Sequence, residues 1–222
     1  MPTICSELIE GKVRAGRRLS REEGLWLWRQ GDLLELGQLA DHVRFRLNPE
    51  PIVTFVIDSN PNYTNICVTD CVFCAFYRKP GSPDGYTLTV EQVMGKVQRA
   101  VEQGATTVLL QGGHNPELPL DYYVELIRET RRRFPRVTPH FFTASEVTLM
   151  AQVEGLSVRE VLLRLKEAGQ HTLPGGGAEI LSDRIRRRLA TKKGPSEAWL
   201  SVHREAHRLG FKSTATMMFG HI

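Results

Sequence analysis

One pattern constrains this chain more than any other: a short apolar run, a glycine-rich or polar turn, an amphipathic helix stopped by glycine, then another apolar run. Residues 89–103, TVEQVMGKVQRAVEQ, place Val90, Val93, Met94, Val97 and Val101 on one face of a helix. Thr89 with Gln92 reads as a capping box and Gly104 as the stop. TTVLLQ follows, and then the order repeats. A helix over 119–134 rests on Leu120, Tyr123, Val124 and Ile127, and VTPHFF comes after it. Ser157 with Glu160 caps SVREVLLRLKEA, AEILSDRIRRRL has a helical stripe, and Ser196 opens a helix on Trp199, Val202, Ala206 and Leu209. Five strands are expected: PIVTFVID, TTVLLQ, VTPHFF, HTL and KSTATMMF. They are continuously apolar, as parallel strands covered on both faces are. Strand–helix–strand order implies an α/β fold with right-handed crossovers. Periodicity fits a parallel barrel and an open doubly wound sheet equally. Residues 1–50 read as an N-terminal helical extension and 51–222 as the α/β core, which reads as cut short after strand five because no helix follows to cover that strand.

The balance of 29 basic and 25 acidic residues leaves a net charge of +4. The basic runs at 131–133, 186–188 and 192–193 fall late in, or just after, expected helices, where cations suit the helix dipole and face water. With no aromatic platform beside them, they imply no nucleic-acid partner. No apolar run reaches the roughly 18 residues of a membrane span, and the start of the chain has no apolar signal segment. A cytoplasmic, reducing setting is therefore expected, with no membrane partner, and there clustered cysteines point to metal or redox chemistry.

Three of the four cysteines stand together as C-x3-C-x2-C in NYTNICVTDCVFCAFYR: Cys67, Cys71 and Cys74, in the long loop after the first strand. Loops at the carboxyl ends of parallel strands are where such folds place their sites. A structural zinc takes four ligands, and there is no second cysteine pair, although His114 or His140 could complete the set. A disulfide or inert thiols form a further alternative. An iron–sulfur cluster held by three thiolates would leave one iron open to bind a reactant. Cys5 reads as an unrelated core or surface thiol.

The cysteine spacing, with Phe73 just before the last cysteine, resembles the signature of the radical S-adenosylmethionine (SAM) superfamily. That resemblance implies a partial (β/α) barrel, a 4Fe–4S cluster on Cys67, Cys71 and Cys74, SAM on the open iron, and an external one-electron donor. It also implies that the deoxyadenosyl radical, rather than a side chain, breaks the substrate C–H bond, so no catalytic acid or base is assigned. QGG at 111–113 resembles the motif that receives the SAM amino group, which makes Gly112 and Gly113 binding candidates. His114 stands where an acidic residue is usual. Phe73 is placed against adenine, and TATMMFGH at 214–221 resembles the strand along which adenine lies. Ser145 and Glu146 in FFTASEV are placed toward SAM or substrate, with a helix cap and a loop carboxylate as their alternative roles. Glu179 after PGGG is a SAM-ribose or substrate contact, or a carboxylate opening a helix. LLQGGHNPELPLDYY and LPGGGAEILSDRIRRRL further resemble the futalosine-pathway enzymes of menaquinone biosynthesis. The implied substrate is dehypoxanthine futalosine, cyclised after hydrogen abstraction. The alternatives are the aminofutalosine-forming branch, with a chorismate-derived substrate, and an inactive, zinc-binding fragment.

Overall fold

The computed structural model describes residues 4–220. The chain forms two compact units, Met1–Phe55 and Val56–Ile222. The first unit holds helices α1 (Ser6–Arg14), α2 (Arg21–Gln30) and α3 (Leu33–Leu47). Ser20 and Glu23 close a reciprocal capping box at the start of α2, and Asp32 accepts from the Leu34 and Glu35 amides at the start of α3. Each such cap satisfies amides that a helix start leaves open, worth about 1 kcal/mol. Glu23 is buried and ion-paired to Lys12, which joins α1 to α2.

The second unit runs β1 (Asp58–Ser59), α4 (Val90–Glu102), β2 (Thr107–Leu110), α5 (Leu120–Arg133), β3 (Thr138–Phe141), α6 (Ala144–Glu154), α7 (Val158–Glu167), β4 (Thr172–Leu173), α8 (Asp183–Leu189), α9 (Ser196–Arg208) and β5 (Lys212–Ser213). Strands β1, β2 and β3 pair in parallel, with Asp58 opposite Thr107 and Leu110 opposite Phe141. Strands β4 and β5 pair separately, also in parallel. Side chains link the two sheets: Gln170 Nε2 donates to Phe141 O at 2.6 Å, and Thr172 Oγ1 donates to Pro139 O at 3.1 Å. The result is a partial (β/α) barrel. Its core lies between strands and helices, where Val97, Leu110, Ile127, Phe141, Val147 and Leu162 are buried. Full burial of each such side chain is worth about 1.5–3 kcal/mol.

Four expectations need correction. Only Asp58 of PIVTFVID, with Ser59 just after it, joins a ladder; Val53 and Phe55 are 90% and 85% exposed. A β-branched run without a partner strand gains neither ladder bonds nor packing, so propensity alone does not hold it. At the other end, β5 stops at Ser213 although single bonds continue alongside, from Thr216 N to Gly175 O at 3.1 Å and from Met218 N to Glu179 O at 2.7 Å. The Cβ a residue other than glycine would carry at 175 comes within 2.3 Å of Ala215 Cα, so glycine permits this close approach. Finally, the helix expected over 178–189 begins only at Asp183, and α6 was absent from the expected elements despite its Thr143–Glu146 capping box. His221, the last residue of the TATMMFGH motif, lies outside the described residues.

Candidate active site

The loop after β1 is tied first to the loop after β2. Gly113 N donates to Thr64 O at 2.8 Å, Val68 N to His114 O at 3.1 Å, and Asn62 Nδ2 to Gln111 O at 2.7 Å. It is tied to its own return strand by Cys67 N to Arg78 O at 2.8 Å, and to α8 by Val72 N to Leu189 O at 3.0 Å. Asp70, Phe142 and Glu179 have left-handed backbone at φ 38°, 54° and 50°. These are the described non-glycine residues in that region, one in each loop after β1, β3 and β4. Such conformations cost of order 1 kcal/mol or more and persist where neighbours over-determine them.

Those loops enclose a cavity of about 220 Å³ lined by Cys67, Cys71, Cys74, Phe73, the QGG turn, Ser145, Glu179 and Lys193. The sequence candidates Phe73, Gly112, Gly113, Ser145 and Glu179 thus all border one space with the three cysteines. All three cysteines are free thiols. Thr69 Oγ1 sits between two of them, 3.0 Å from Cys67 Sγ and 3.7 Å from Cys71 Sγ. Burial pushes the Cys71 thiol up, against the pull of Lys193 and the Thr69 hydroxyl. Among the described residues no three His, Cys, Asp or Glu side chains converge as ligands of a single ion do. His140 lies between β3 and β4, bonded to Thr172 Oγ1 at 2.8 Å, and is not part of the cavity. His114 borders the cavity but bonds Ser145 Oγ through Nε2 at 3.1 Å. Burial first, then the Lys193 cation, push His114 down to about 3, so its imidazole is neutral. Three thiols around a shared space, without a fourth side chain closing on them, fit a cluster whose irons sit at separate corners better than one tetrahedral ion.

Both glycines of the QGG turn are required by close packing. A Cβ at Gly112 would lie 2.6 Å from the Tyr63 ring, and one at Gly113 would lie 2.1 Å from Ile66 O. Their amides are engaged, Gly112 N with Glu146 Oε1 at 3.1 Å and Gly113 N with Thr64 O. The Gly112 carbonyl takes none of the described hydrogen bonds and faces no competitor for an incoming donor.

Tyr63 and Lys193 were missed as site residues, and Glu146, expected to point toward SAM or substrate, also borders the cavity. Glu146 is buried and collects the Tyr63 hydroxyl at 2.6 Å, the Gly112 amide, and the Thr143 amide and hydroxyl, both at 2.7 Å. One carboxylate therefore bolts together the loops after β1, β2 and β3, while also capping α6. Burial raises its pKa even against those four donors. Lys193 was expected to face water. Its side chain is instead only 15% exposed, paired with Glu179 at 2.8 Å and lying over the Phe73 ring at 5.7 Å. Burial works against the Lys193 ammonium, but Glu179 and the Cys71 and Cys67 thiols outweigh it and its pKa is raised. Arg186 is buried too, donating to Gly177 O at 3.0 Å and Gly194 O at 3.2 Å. Glu179 does not open a helix; it sits in the loop before α8, beside Met217.

Residues 61–222 match the Radical SAM superfamily. The cyclic dehypoxanthine futalosine synthase of Halalkalibacterium halodurans is 43% identical over 205 residues, covering 92% of this chain and 55% of that enzyme. The aminodeoxyfutalosine synthase of Thermus thermophilus is 42% identical over 214 residues, covering 96% and 57%. The chain thus spans somewhat more than half the length of these relatives. The crystal structure of HydG, a maturase of the FeFe-hydrogenase, superposes with a TM-score of 0.73 over 97% of this chain and 47% of that one, at 19% identity, which is a likeness of fold. Among the described residues no helix is long and apolar enough to cross a membrane.

Proposed function

The chain belongs to the Radical SAM superfamily, whose members use a 4Fe–4S cluster and SAM, and from that premise we propose that it serves the futalosine route to menaquinone in the cytoplasm, cyclising dehypoxanthine futalosine. The observation that carries the reading is the single cavity in which Cys67, Cys71 and Cys74 meet the QGG turn and the Glu179–Lys193 pair. The three cysteines would hold the cluster, which with bound SAM would supply the radical chemistry for hydrogen abstraction.

The chain's own residues do the rest by binding and orientation. The free carbonyl of Gly112 accepts an ammonium donor, and Glu146 fixes that carbonyl by holding the amide of the same residue. Glu179 and Lys193 offer one carboxylate and one ammonium to a zwitterion, whose opposite charges can replace each in the pair. Phe73 offers an aromatic ring to a planar base, with its cation partner over one face. Neutral His114 and Ser145 line the wall as a bonded pair without adding charge.

Formation of aminodeoxyfutalosine is the second reading, supported by 42% identity against 43%. The test is anaerobic reconstitution, then incubation with SAM, dithionite and each substrate in turn. Deoxyadenosine formed with a cyclised product from dehypoxanthine futalosine supports the first reading. Turnover only of the chorismate-derived substrate transfers the assignment to the second.

A further inference from the structure

Of the exposed large apolar residues in the cysteine loop, Val68, Val72, Phe73 and Phe76, Val72 is the most open to solvent. Cys67 and Cys71 are buried, but Val72 between Cys71 and Phe73 is 73% exposed. Its amide is held by Leu189 O, and Cys71 packs directly on Leu189 and Ala190. Thus the outward face of the loop adjoins the last turn of α8 and the short turn at Thr191–Lys193. Residues 183–193 carry six basic side chains against the single acid Asp183. Three of the six are committed: Arg186 to backbone carbonyls, Lys193 to Glu179, and Lys192 to Asp70 at 2.7 Å. Arg184, Arg187 and Arg188 are exposed and make no ion pair among the described residues. Arg187 and Arg188 immediately precede the Leu189 that holds Val72.

An exposed apolar residue one peptide bond from a buried thiol, hydrogen-bonded to the end of a helix that carries uncommitted cations, suits a brief encounter with an acidic protein. Electron-transfer contacts are small, below about 1,200 Å². Opposite charge then supplies the on-rate that little buried area cannot. We propose that Val72, with Arg187 and Arg188, forms the docking face for an acidic one-electron carrier protein of the flavin or iron–sulfur class. This rests on the reading of Cys67, Cys71 and Cys74 as cluster ligands. In the step the carrier loses one electron and the cluster gains it, with no bond made or broken. Its path from the surface is Val72, the Cys71 backbone and the Cys71 sulfur.

The test compares the reconstituted chain with its Arg187→Glu/Arg188→Glu and Val72→Asp variants, and with Arg99→Glu on the outer face of α4 as a control for added charge. The probe is a bacterial flavodoxin reduced to its hydroquinone; dithionite is the small reductant. The double variant should be reduced by flavodoxin about tenfold more slowly at low ionic strength, with most of the salt dependence gone. Flavodoxin binding to the metal-free variant, followed by flavin fluorescence, should weaken in parallel. Iron content and the dithionite rate should stay at wild-type values in every variant, and Arg99→Glu should be unchanged throughout. Wild-type flavodoxin rates in both docking variants overturn the proposal, and so does a wild-type dimer that the double variant loses without any change in carrier rate. Failure of all the proteins, wild type included, to take up iron or react with dithionite would instead refute the cluster assignment itself.

Discussion

Replacing Gly113 by alanine isolates the contact on which the cavity depends. The added Cβ would meet two backbone atoms, Ile66 O at 2.1 Å and Ile66 C at 2.7 Å, and Cys67 Cβ at 3.0 Å. Ordinary contact lies near 3.4 Å, so the backbone just before the first cysteine must retreat by about 1.3 Å. Gly113 does not have a left-handed φ, so the cost is steric rather than torsional. Overpacking of this kind costs about 1–3 kcal/mol, and stretching the 2.8 Å bond from Gly113 N to Thr64 O adds about 1 kcal/mol. For a chain of this length a loss of about 2–4 kcal/mol lowers Tm by roughly 5–15 °C. Calorimetry of the metal-free protein measures that loss, and iron bound per chain after anaerobic reconstitution measures the displacement of Cys67. Gly95→Ala is the internal comparison: nothing lies within 4 Å of its added Cβ, and in α4 it should stabilise by about 0.5–1 kcal/mol. A Gly113→Ala protein with wild-type Tm and full iron would refute the packing reasoning.

Glu146→Gln must turn an amide NH2 toward groups that are themselves donors, so it should cost about 2–4 kcal/mol by urea denaturation, more than Tyr63→Phe at about 1 kcal/mol. Lys193→Met should weaken SAM binding at least tenfold by equilibrium dialysis while leaving iron content unchanged, since Lys193 borders the cavity without donating to a thiol in the described bonds. His203 supplies a pH dependence remote from the cysteines. Its ring nitrogens lack hydrogen bonds and it lies 3.8 Å from the Trp199 ring centre. Burial, then neighbouring His207, push it down to about 4. The unfolded chain, with an ordinary histidine near 6.5, takes the proton first, so stability is complete above that pH and falls as pH drops toward 4. At pH 5 the His203 loss is about 2 kcal/mol, and His203→Leu should remove that share of the difference between urea midpoints at pH 7 and 5, leaving the share of buried His114.

Much of this was legible because it is local. Helices α4 and α7 begin at capping boxes readable as Thr89–Gln92 and Ser157–Glu160, and α4 buries the core of its expected stripe, Val93, Met94 and Val97. The cysteine spacing, QGG and PGGG pointed to three loops at one end of the sheet, and one cavity gathers them. What escaped depends on partners distant in sequence. Lys193 has the local appearance of any basic helix end; only Glu179, fourteen positions earlier and turned inward by a left-handed backbone, draws it into the cavity. Glu146 reads as an N3 capping residue, and its second role needs Tyr63, 83 positions away. Helix α6 has too little polar contrast along ASEVTLMAQVE for a clear stripe, although its capping box was there to be read. Strands β1 and β5 were overestimated because β-branched runs record a capacity to pair, while ladder length is set by neighbours.

The most direct test is iron-57 Mössbauer and EPR spectroscopy of the anaerobically reconstituted chain, with and without SAM. The account predicts a cubane whose one distinct iron changes its signal when SAM is added, and which is lost when Cys67, Cys71 or Cys74 is replaced by alanine. One zinc per chain with no acid-labile sulfide, or a cluster whose spectrum ignores SAM, would contradict it.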